Sequence, residues 1–204
     1  MGPGYDRERL INLLKRQALR TGTFTLASGR TSPYYVDGRR VTLSAAGAAL
    51  IGAAVLEQLD DLPGVSAVGG LTLGADPIVG ATLALAGARG RDELHGFLVR
   101  KEAKGHGTGH LVEGPLEPGM TVVIVDDVAT TGGSSLKAAT AVEALGCTVA
   151  RVIAVLDRLE GAAAALAAQG LDFRALVTIR DLGVEPLLPH AELDVDPLPP
   201  LPGP

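Results

Sequence analysis

One stretch decides how this chain is expected to fold: TVVIVDDVATTGGSSLKAA, residues 121–139. It opens with an apolar run that ends in two adjacent carboxylates, Asp126 and Asp127. Small and hydroxylated residues follow, and a helical pattern begins at Ser134. An apolar run without alternation is typical of a parallel strand that is covered on both faces. The stretch therefore predicts a buried strand, a glycine-rich loop and a crossover helix.

Similar elements lie on both sides of this stretch. Strands are predicted at residues 65–70, 95–101, 149–157 and 174–179, and helices at 5–20, 44–59, 76–88 and 134–146. Ser44 is the expected N-cap of one helix, Pro77 lies in the first turn of the next, and Gly146 closes the last. Residues 22–40 mix strand-forming aromatics with turn residues, which indicates short strands and loops. The alternation predicts an α/β fold around an open parallel sheet.

Length, charge and cysteine content exclude several classes of protein. The 204 residues suffice for one α/β domain with a smaller appendage, and we expect a single domain that ends in a proline-rich tail at 194–204. A net charge of −5 disfavours bulk binding to nucleic acid, and no apolar run could span a membrane. The N-terminus is charged where a signal peptide would be apolar, and Cys147 has no partner for an internal disulfide. We expect a cytoplasmic protein.

The end of the strand at 121–127 has the character of a binding site. Ligands of an open parallel sheet bind at the carboxyl ends of its strands, where Asp126 and Asp127 are expected. Backbone N–H groups of residues 130–135, together with the dipole of the following helix, would form a pocket for an anion. The carboxylates suit hydroxyl groups or a divalent cation on the same molecule. A sugar phosphate meets both demands.

Other interpretations of the acid pair are weaker. Acids at a strand end are often only solvated, but here a loop of glycines and hydroxyl residues follows them. In a response-regulator receiver the acidic pair ends the first strand, whereas here it comes 126 residues into the chain. A nucleoside triphosphatase would need a G-x-x-x-x-G-K-[ST] loop, which the sequence lacks.

The stretch VVIVDDVATTGGS resembles the phosphoribosyl pyrophosphate signature of type I phosphoribosyltransferases. The resemblance implies that fold: a central parallel sheet flanked by helices, with a small hood built mainly from about residues 1–40. It also implies that Asp126 and Asp127 hold the ribose hydroxyls of 5-phosphoribosyl 1-pyrophosphate (PRPP), and that residues 130–134 cradle its 5′-phosphate. The implied PRPP-binding residues are Arg100, Lys101, Lys104, His106, Asp126, Asp127, Val128, Ala129, Thr130, Thr131, Gly132, Gly133 and Ser134.

The segment VRKEAKGHGTGHLVEG, residues 99–114, gathers cationic and protonatable side chains on a glycine-rich background. A solvated loop is the simplest interpretation, and a metal pair at His106 and His110 would need a helix that the glycines disfavour. The segment is similar to the catalytic loop of orotate phosphoribosyltransferases, which carries R-K-x-x-K-x-H-G. In that family the loop enters the neighbouring subunit's active site, which implies a homodimer. A mobile cationic lid would stabilise the departing pyrophosphate.

The stretch FTLASGRTSPYYVDGRR, residues 24–40, could be a plain hairpin, but it is also similar to the base-covering region of orotate phosphoribosyltransferases. That similarity implies that Tyr34 and Tyr35 lie against the pyrimidine, with Arg30 and its neighbours Ser28 and Gly29 nearby. Many relatives have lysine at the position of Ala27, so Arg30 or the lid would have to supply that charge.

Two shorter matches extend the resemblance. VLDRLEG places Arg158 after a strand, where the family pairs an arginine with the orotate carboxylate, and Thr130 is also expected to orient orotate. GGLTLGADPIVG, residues 69–80, is similar to the loop that meets pyrophosphate, but it lacks the lysine of some relatives. Only its backbone N–H groups are therefore expected to bind.

The resemblance implies transfer of ribose 5-phosphate from PRPP to orotate, a step towards UMP. The implied catalytic residues are Lys101, Lys104, His106, Asp126 and Asp127. Mg²⁺ is the expected cofactor, held mainly by PRPP rather than by protein ligands. A purine phosphoribosyltransferase would share residues 121–135 but lack the two orotate-like segments. A non-catalytic regulator that binds PRPP is the other alternative.

Overall fold

A computed structural model describes residues 5–25, 31–102 and 111–187. Its helices are α1 (Arg7–Leu13), α2 (Arg39–Thr42), α3 (Ala45–Leu59), α4 (Asp76–Ala88), α5 (Gly133–Glu143) and α6 (Ala162–Ala167). Its strands are β1 (Leu19–Thr25), β2 (Thr31–Val36), β3 (Val65–Leu71), β4 (His95–Val99), β5 (Val112–Glu113), β6 (Thr121–Ala129), β7 (Thr148–Asp157) and β8 (Phe173–Thr178). A π-helical turn (Leu14–Ala18) extends α1, and a 3₁₀ turn (Ile179–Leu182) follows β8.

The main sheet has six strands in the order β5-β4-β3-β6-β7-β8. All neighbouring strands are parallel except β4 and β5, which form an antiparallel edge. Strand β6 lies between β3 and β7, so that Ile124 pairs with Gly69 on one side and with Val152 on the other. The predicted open parallel sheet is confirmed, and the strand that carries the acid pair lies inside it.

Side chains of β6 alternate between two hydrophobic cores. Val123 and Val125 join the core that contains α1, α3 and α4. Val122 and Ile124 join the core on the opposite face, which contains α5. Each fully buried side chain of this size contributes about 1.5–3 kcal/mol relative to exposure. Because both faces of the strand are covered, its sequence is apolar throughout rather than alternating.

A second sheet consists of β1 and β2, which pair antiparallel. Strand β2 alternates strictly, and its inward side chains, Tyr34 and Val36, join the core that contains α1. Tyr35 points to the other face, where its ring lies 5.9 Å from that of Phe24. The backbone N–H of Asp37 donates to the carbonyl of Ala18 at 3.1 Å, which fixes the chain as it leaves β2.

Several element boundaries differ from the predictions. The first helical segment ends at Ala18 rather than residue 20, because Leu19 takes the extended conformation of β1. Strand β6 continues two residues past the acid pair, since Val128 and Ala129 still pair with β7. Helix α5 begins at Gly133 and ends at Glu143, and Gly146 closes only the turn that follows, with φ +82°.

Other expectations concern the chain as a whole. No helix in the described part of the chain is both long and apolar enough to cross a membrane. The assignment of residues 1–204 to one domain stays a prediction, and the proline-rich tail at 194–204 lies outside the described residues.

A buried arginine joins the sheet to the end of α3. Arg151 on β7 is only 4% exposed, and its guanidinium donates to Asp172 at 2.7 Å and to Asp61 at 2.8 Å. It also donates to the backbone carbonyl of Gln58 at 2.9 Å. The hydrogen bond from Arg151 holds the pKa of Asp61 below its ordinary value. One guanidinium therefore links three separate segments.

Replacing this arginine tests its contribution to stability. We expect Arg151→Ala to lower the free energy of unfolding by about 2 kcal/mol, because several charge-assisted hydrogen bonds are lost at once. Urea denaturation followed by circular dichroism measures the change. Arg174→Ala is the matched control, since Arg174 also pairs with Asp172 but is largely exposed. Equal effects of the two substitutions would contradict a special role for the buried guanidinium.

Candidate active site

A cleft of about 270 Å³ opens where β3 and β6 end. Four segments of the chain contribute to its walls: the end of β2 with the turn after it, the end of β3 with the loop after it, Lys101 after β4, and the end of β6 with the start of α5. The lining residues are Tyr35, Val36, Asp37, Gly38, Arg39, Leu71, Thr72, Leu73, Gly74, Lys101, Asp126, Asp127, Val128 and Ser134. The cleft thus lies at the carboxyl edge of the sheet, as the sequence predicted.

Hydrogen bonds hold both acids of the pair in place. Asp126 is 8% exposed; its Oδ1 accepts from the backbone N–H of Asp127 at 3.0 Å and its Oδ2 from the Ser135 hydroxyl at 3.2 Å. Oδ1 of the half-buried Asp127 accepts from the backbone N–H of Val128 at 2.9 Å. Both carboxylates are therefore oriented before any ligand binds.

The pKa of Asp126 is raised to about 7, mainly by burial and to a smaller extent by the charge of Asp127. The hydrogen bond from Ser135 opposes this shift. Near neutral pH this carboxyl group is therefore close to the midpoint of its titration. A protonated carboxyl donates one hydrogen bond, whereas an ionised carboxylate only accepts. The pair can thus both donate to and accept from hydroxyl groups of a ligand.

Two glycines lie against Asp127 from separate parts of the chain. A Cβ atom at Gly74 would lie 2.6 Å from Oδ1 of Asp127, which is closer than real Cβ contacts. A Cβ atom at Gly38 would lie 2.8 Å from the Val128 side chain and 3.3 Å from Oδ2 of Asp127. The carboxylate is therefore packed between two backbone segments that have no room for side chains.

The loop that joins β6 to α5 presents free backbone donors. Gly132 has φ +83°, and α5 begins there without a side-chain cap. Within the described part of the chain, the N–H groups of residues 131–135 donate no hydrogen bond. Uncapped N–H groups at a helix N-terminus attract anions through both their hydrogen bonds and the helix dipole. This loop therefore has the character of an anion site, next to the acid pair.

A second group of polar side chains lies where β7 ends. The N–H of Arg158 donates to the carbonyl of Ala129 at 2.9 Å, so this arginine lies beside the end of β6. Its guanidinium carbon lies 5.3 Å from the centre of the Tyr34 ring, and its Nη2 lies 2.7 Å from Oε1 of Glu160. The turn between Arg158 and Glu160 is tight, with Leu159 at a positive φ of 59°.

These polar atoms are buried without completed hydrogen bonds. Nε and Nη2 of Arg158, Oε1 of Glu160 and the Tyr34 hydroxyl all lack a partner of proper geometry within the described residues. The short distance between Arg158 and Glu160 is thus an ion pair without a well-aligned hydrogen bond. Because buried polar atoms are normally satisfied, the cluster is suited to a polar ligand.

The structure separates some residues that the sequence grouped. Tyr35 lines the cleft, but Tyr34 is wholly buried on the opposite face of β2. Lys101 lines the cleft, whereas Nε of Arg100 donates to Glu113 at 2.9 Å across the antiparallel edge, away from the lining. Val128 and Ser134 line the cleft, while Ala129 is buried behind it.

Some predicted residues lie outside the described part of the chain. They are Lys104, His106, His110, Ala27, Ser28, Gly29 and Arg30. The described residues on either side of positions 103–110 are bonded to each other, because the N–H of Arg100 donates to the carbonyl of Leu111 at 2.8 Å. The Lys137 side chain of α5 also donates to the backbone carbonyl of Lys101. Of the described residues on either side of positions 103–110, Lys101 lines the cleft.

Sequence reasoning missed three charged residues of this region: Asp37, Arg39 and Glu160. The first two line the cleft and form an ion pair, and the third lies beside Arg158. The available signals were the DGRR run after the tyrosines and the acid two residues after Arg158. Neither pattern indicates a binding role by itself, because the role depends on the position that the fold gives these residues beside the cleft or beside Arg158.

The raised pKa of Asp126 predicts a pH dependence of stability. Between about 4 and 7 the folded state binds more protons than the unfolded chain, so the free energy of unfolding falls as pH rises through this window. We expect Asp126→Asn to remove this fall, so its melting temperature exceeds that of the parent by a few degrees at pH 8 but not at pH 4.5. Thermal melts at both pH values measure it. Asp92→Asn, at an exposed position, is the control, and a pH-independent gain would contradict the assignment.

Comparison with known proteins identifies the family. A model of the phosphoribosyl transferase domain matches residues 89–168. The orotate phosphoribosyltransferase of Rhodopirellula baltica is 53% identical over 188 residues, which cover 89% of this chain and 96% of that protein.

Solved structures agree. Orotate phosphoribosyltransferase of Mycobacterium tuberculosis in complex with Fe(III) dicitrate matches with a TM-score of 0.77 at 44% identity, covering 87% of this chain and 99% of that chain. The M. tuberculosis enzyme in complex with PRPP matches with a TM-score of 0.74 at 40% identity, with coverage of 87% and 99%. The main sheet and its helices have the type I phosphoribosyltransferase fold, and the chain belongs to the orotate phosphoribosyltransferase family.

Proposed function

We propose that this cleft transfers ribose 5-phosphate from PRPP to orotate, giving orotidine 5′-monophosphate and pyrophosphate. One observation carries the proposal: a hydrogen-bonded acid pair lies directly beside an uncapped helix N-terminus with free N–H donors. The pair matches the hydroxyl groups of a ribose, and the helix end matches its phosphate. Membership of a family of pentosyltransferases supports the same reaction.

The ribose 5-phosphate half of PRPP would span these two features. Asp126 and Asp127 would bind the 2′- and 3′-hydroxyls, for which the raised pKa of Asp126 leaves both donor and acceptor capacity. The 5′-phosphate would accept hydrogen bonds from the N–H groups of residues 131–135. The M. tuberculosis relative was solved in complex with PRPP, which supports the choice of ligand.

The pyrophosphate group would lie between the loop after β3 and Lys101. Leu73 and Gly74 of that loop would supply backbone N–H groups, because the N–H of Thr72 already donates to the carbonyl of Val99, and Lys101 would supply charge from the same chain. We further propose that Lys104 and His106 belong to a lid that closes over the neighbouring subunit of a homodimer. Arg100 is turned towards Glu113 rather than into its own cleft, which favours a role at the subunit boundary.

Orotate would bind beside the end of β7. The guanidinium of Arg158 matches the orotate carboxylate as a planar fork, and its unsatisfied Nε and Nη2 support this role. Thr130 follows β6 next to it, and the exposed ring of Tyr35 could cover the base from the cleft side. Tyr34 would act from beneath, through its ring against Arg158, and Arg30 would add charge.

The reaction needs no covalent intermediate with the protein. A ring nitrogen of orotate loses its proton to pyrophosphate or water and bonds to the anomeric carbon, while the bond from that carbon to the pyrophosphate oxygen breaks and its electron pair leaves with pyrophosphate. The transition state has oxocarbenium character. The protein would act by holding the two substrates in line and by stabilising the charge on the leaving group.

Mg²⁺ is the proposed cofactor, and when bound it would neutralise charge on the leaving pyrophosphate. Within the described residues, no group of three or more His, Cys, Asp or Glu side chains is arranged to hold a metal ion. The carboxylates of Asp126 and Asp127 are nonetheless hard oxygen donors at the cleft, a donor type that Mg²⁺ accepts. Oxygens of PRPP would then supply most of the coordination. A cytoplasmic location and a place in UMP synthesis belong to the same proposal.

A direct assay tests the reaction. On mixing the protein with PRPP, Mg²⁺ and orotate, we expect the absorbance of orotate to fall and pyrophosphate to appear in equal amount. Adenine, hypoxanthine and uracil in place of orotate are the controls, and none should be consumed. Consumption of a purine would instead indicate a purine phosphoribosyltransferase. Binding of PRPP in calorimetry without turnover of orotate would indicate a regulator.

The contact between Gly74 and Asp127 predicts a selective loss of activity. Gly74→Ala places a methyl group where Oδ1 of Asp127 lies, so we expect kcat/KM for PRPP to fall at least about tenfold, a cost near 1.4 kcal/mol. Gly80→Ala is the matched control, because a Cβ atom there meets nothing within 4 Å and alanine favours the helix α4. Parental activity of the Gly74 variant, with an unchanged melting temperature, would contradict the role of this contact.

A further inference from the structure

We infer that Arg39 binds the pyrophosphate end of PRPP and that Asp37 holds its guanidinium in position. This inference rests on the proposed function and extends it to two residues to which the sequence motifs assigned no role. It is carried by the position of the turn at residues 37–39 and by the geometry of the ion pair within it.

The turn at residues 37–39 is a fixed wall of the cleft. Asp37, Gly38 and Arg39 all line it, and the N–H of Asp37 is bonded to the carbonyl of Ala18. Gly38 is buried against Val128 and Asp127, with no space for a Cβ atom. The backbone before and at the turn is therefore held in place, and it brings the Arg39 side chain to the cleft.

Asp37 orients the guanidinium of Arg39 but leaves most of it free. Nε of Arg39 donates to Oδ1 of Asp37 at 3.2 Å. Nη1 and Nη2 have no hydrogen-bond partner within the described residues. The hydrogen bond to Asp37, and more weakly the charge of Asp127, raises the pKa of Arg39 above its ordinary value. A guanidinium held at Nε and free at both Nη atoms can bind two phosphate oxygens at once.

Contacts with the acid pair indicate which end of PRPP would lie beside Arg39. Ser135, at the start of α5, bonds to Asp126, so the proposed phosphate site adjoins the Asp126 carboxylate. Gly38 lies against Oδ2 of Asp127, and Gly74 lies nearer to Oδ1 of Asp127 than to Oδ1 of Asp126, with a Cβ atom at Gly74 falling 2.6 Å and 3.3 Å from them. Arg39 thus shares the Asp127 side of the cleft with the loop after β3. A ribose bound across the acid pair would direct its 1-pyrophosphate to that side.

The pyrophosphate end of the cleft also requires more positive charge than the described chain otherwise supplies. The stretch at 69–80 contains no lysine, and Leu73 occupies the exposed tip of its loop. Among the described residues, Lys101 and Arg39 are the cationic side chains that line the cleft. Pyrophosphate is multiply charged, and Arg39 brings a second cation to it from a different part of the chain.

The test compares Arg39→Ala with Arg40→Ala. Arg40 is the matched control, because it follows Arg39 in α2 and is exposed, but lines only the outer surface beside Leu43 and not the cleft. Initial rates are measured with PRPP varied at saturating orotate, and then with orotate varied. Calorimetry measures binding of pyrophosphate and of ribose 5-phosphate to each variant in the presence of Mg²⁺. Thermal melts confirm folding.

For Arg39→Ala we expect KM for PRPP to rise about tenfold and pyrophosphate to bind about tenfold more weakly. KM for orotate and binding of ribose 5-phosphate should stay within about twofold of the parent, the size of effect that surface substitutions without a specific role produce. Asp37→Asn should show the same pattern more weakly, and Arg39→Lys should recover part of the loss.

The inference is overturned if Arg39→Ala behaves like Arg40→Ala. It is also overturned if ribose 5-phosphate binding weakens as much as pyrophosphate binding, since that would place Arg39 at the 5′-phosphate. A parent protein that consumes no orotate would overturn the proposed function alone, because pyrophosphate binding still tests Arg39.

Discussion

The site depends on one costly arrangement, a carboxylate buried at the end of the central strand. Asp126 is held there by the backbone N–H of Asp127 and by the Ser135 hydroxyl, but these bonds only partly offset burial and the charge of Asp127, which raise its pKa. Hydrophobic packing on both faces of β6 offsets this unfavourable burial and fixes the acid at the edge of the sheet. The same hydroxyl belongs to the first turn of α5, so it couples the acid to the neighbouring anion site.

A second constraint on the site is that the backbone of three separate loops must come close to the acid pair and the cleft. Gly38 and Gly74 pack against Asp127, while Gly132 takes a left-handed conformation that lets α5 start beside the cleft. Side chains at these positions would either push the carboxylate away or strain the backbone. The cleft is therefore shaped mainly by main chain, and charged groups at its rim can differ without altering its floor.

The sequence predicted the parts of the site that are local in the chain. The strand, the acid pair and the loop into α5 occupy adjacent residues, so their pattern alone indicates their geometry. Contacts such as Gly38 with Asp127 join residues far apart in the chain, and no local pattern encodes them. The two tyrosines are adjacent in the sequence but are separated by the strand. Because adjacent strand residues point to opposite faces, Tyr35 lines the cleft while Tyr34 is buried on the other face of β2.

The cation of the cleft, Arg39, and the cation beside the end of β7, Arg158, are held in different ways, and the difference suggests separate roles in the proposed reaction. Arg158 is buried beside Glu160 and Tyr34, so its position is set before orotate arrives. Arg39 is half-exposed and tethered through a single nitrogen. A fixed cation in a buried site favours discrimination between bases, because a base without a carboxylate leaves the Nε and Nη2 donors of Arg158 without hydrogen-bond partners. A loosely held cation such as Arg39 could instead follow the pyrophosphate group as its charge increases during bond breaking, and could then release it as product. Selectivity and leaving-group stabilisation would thus arise in two separate groups of residues, one beside the end of β7 and one in the cleft at the ends of β3 and β6.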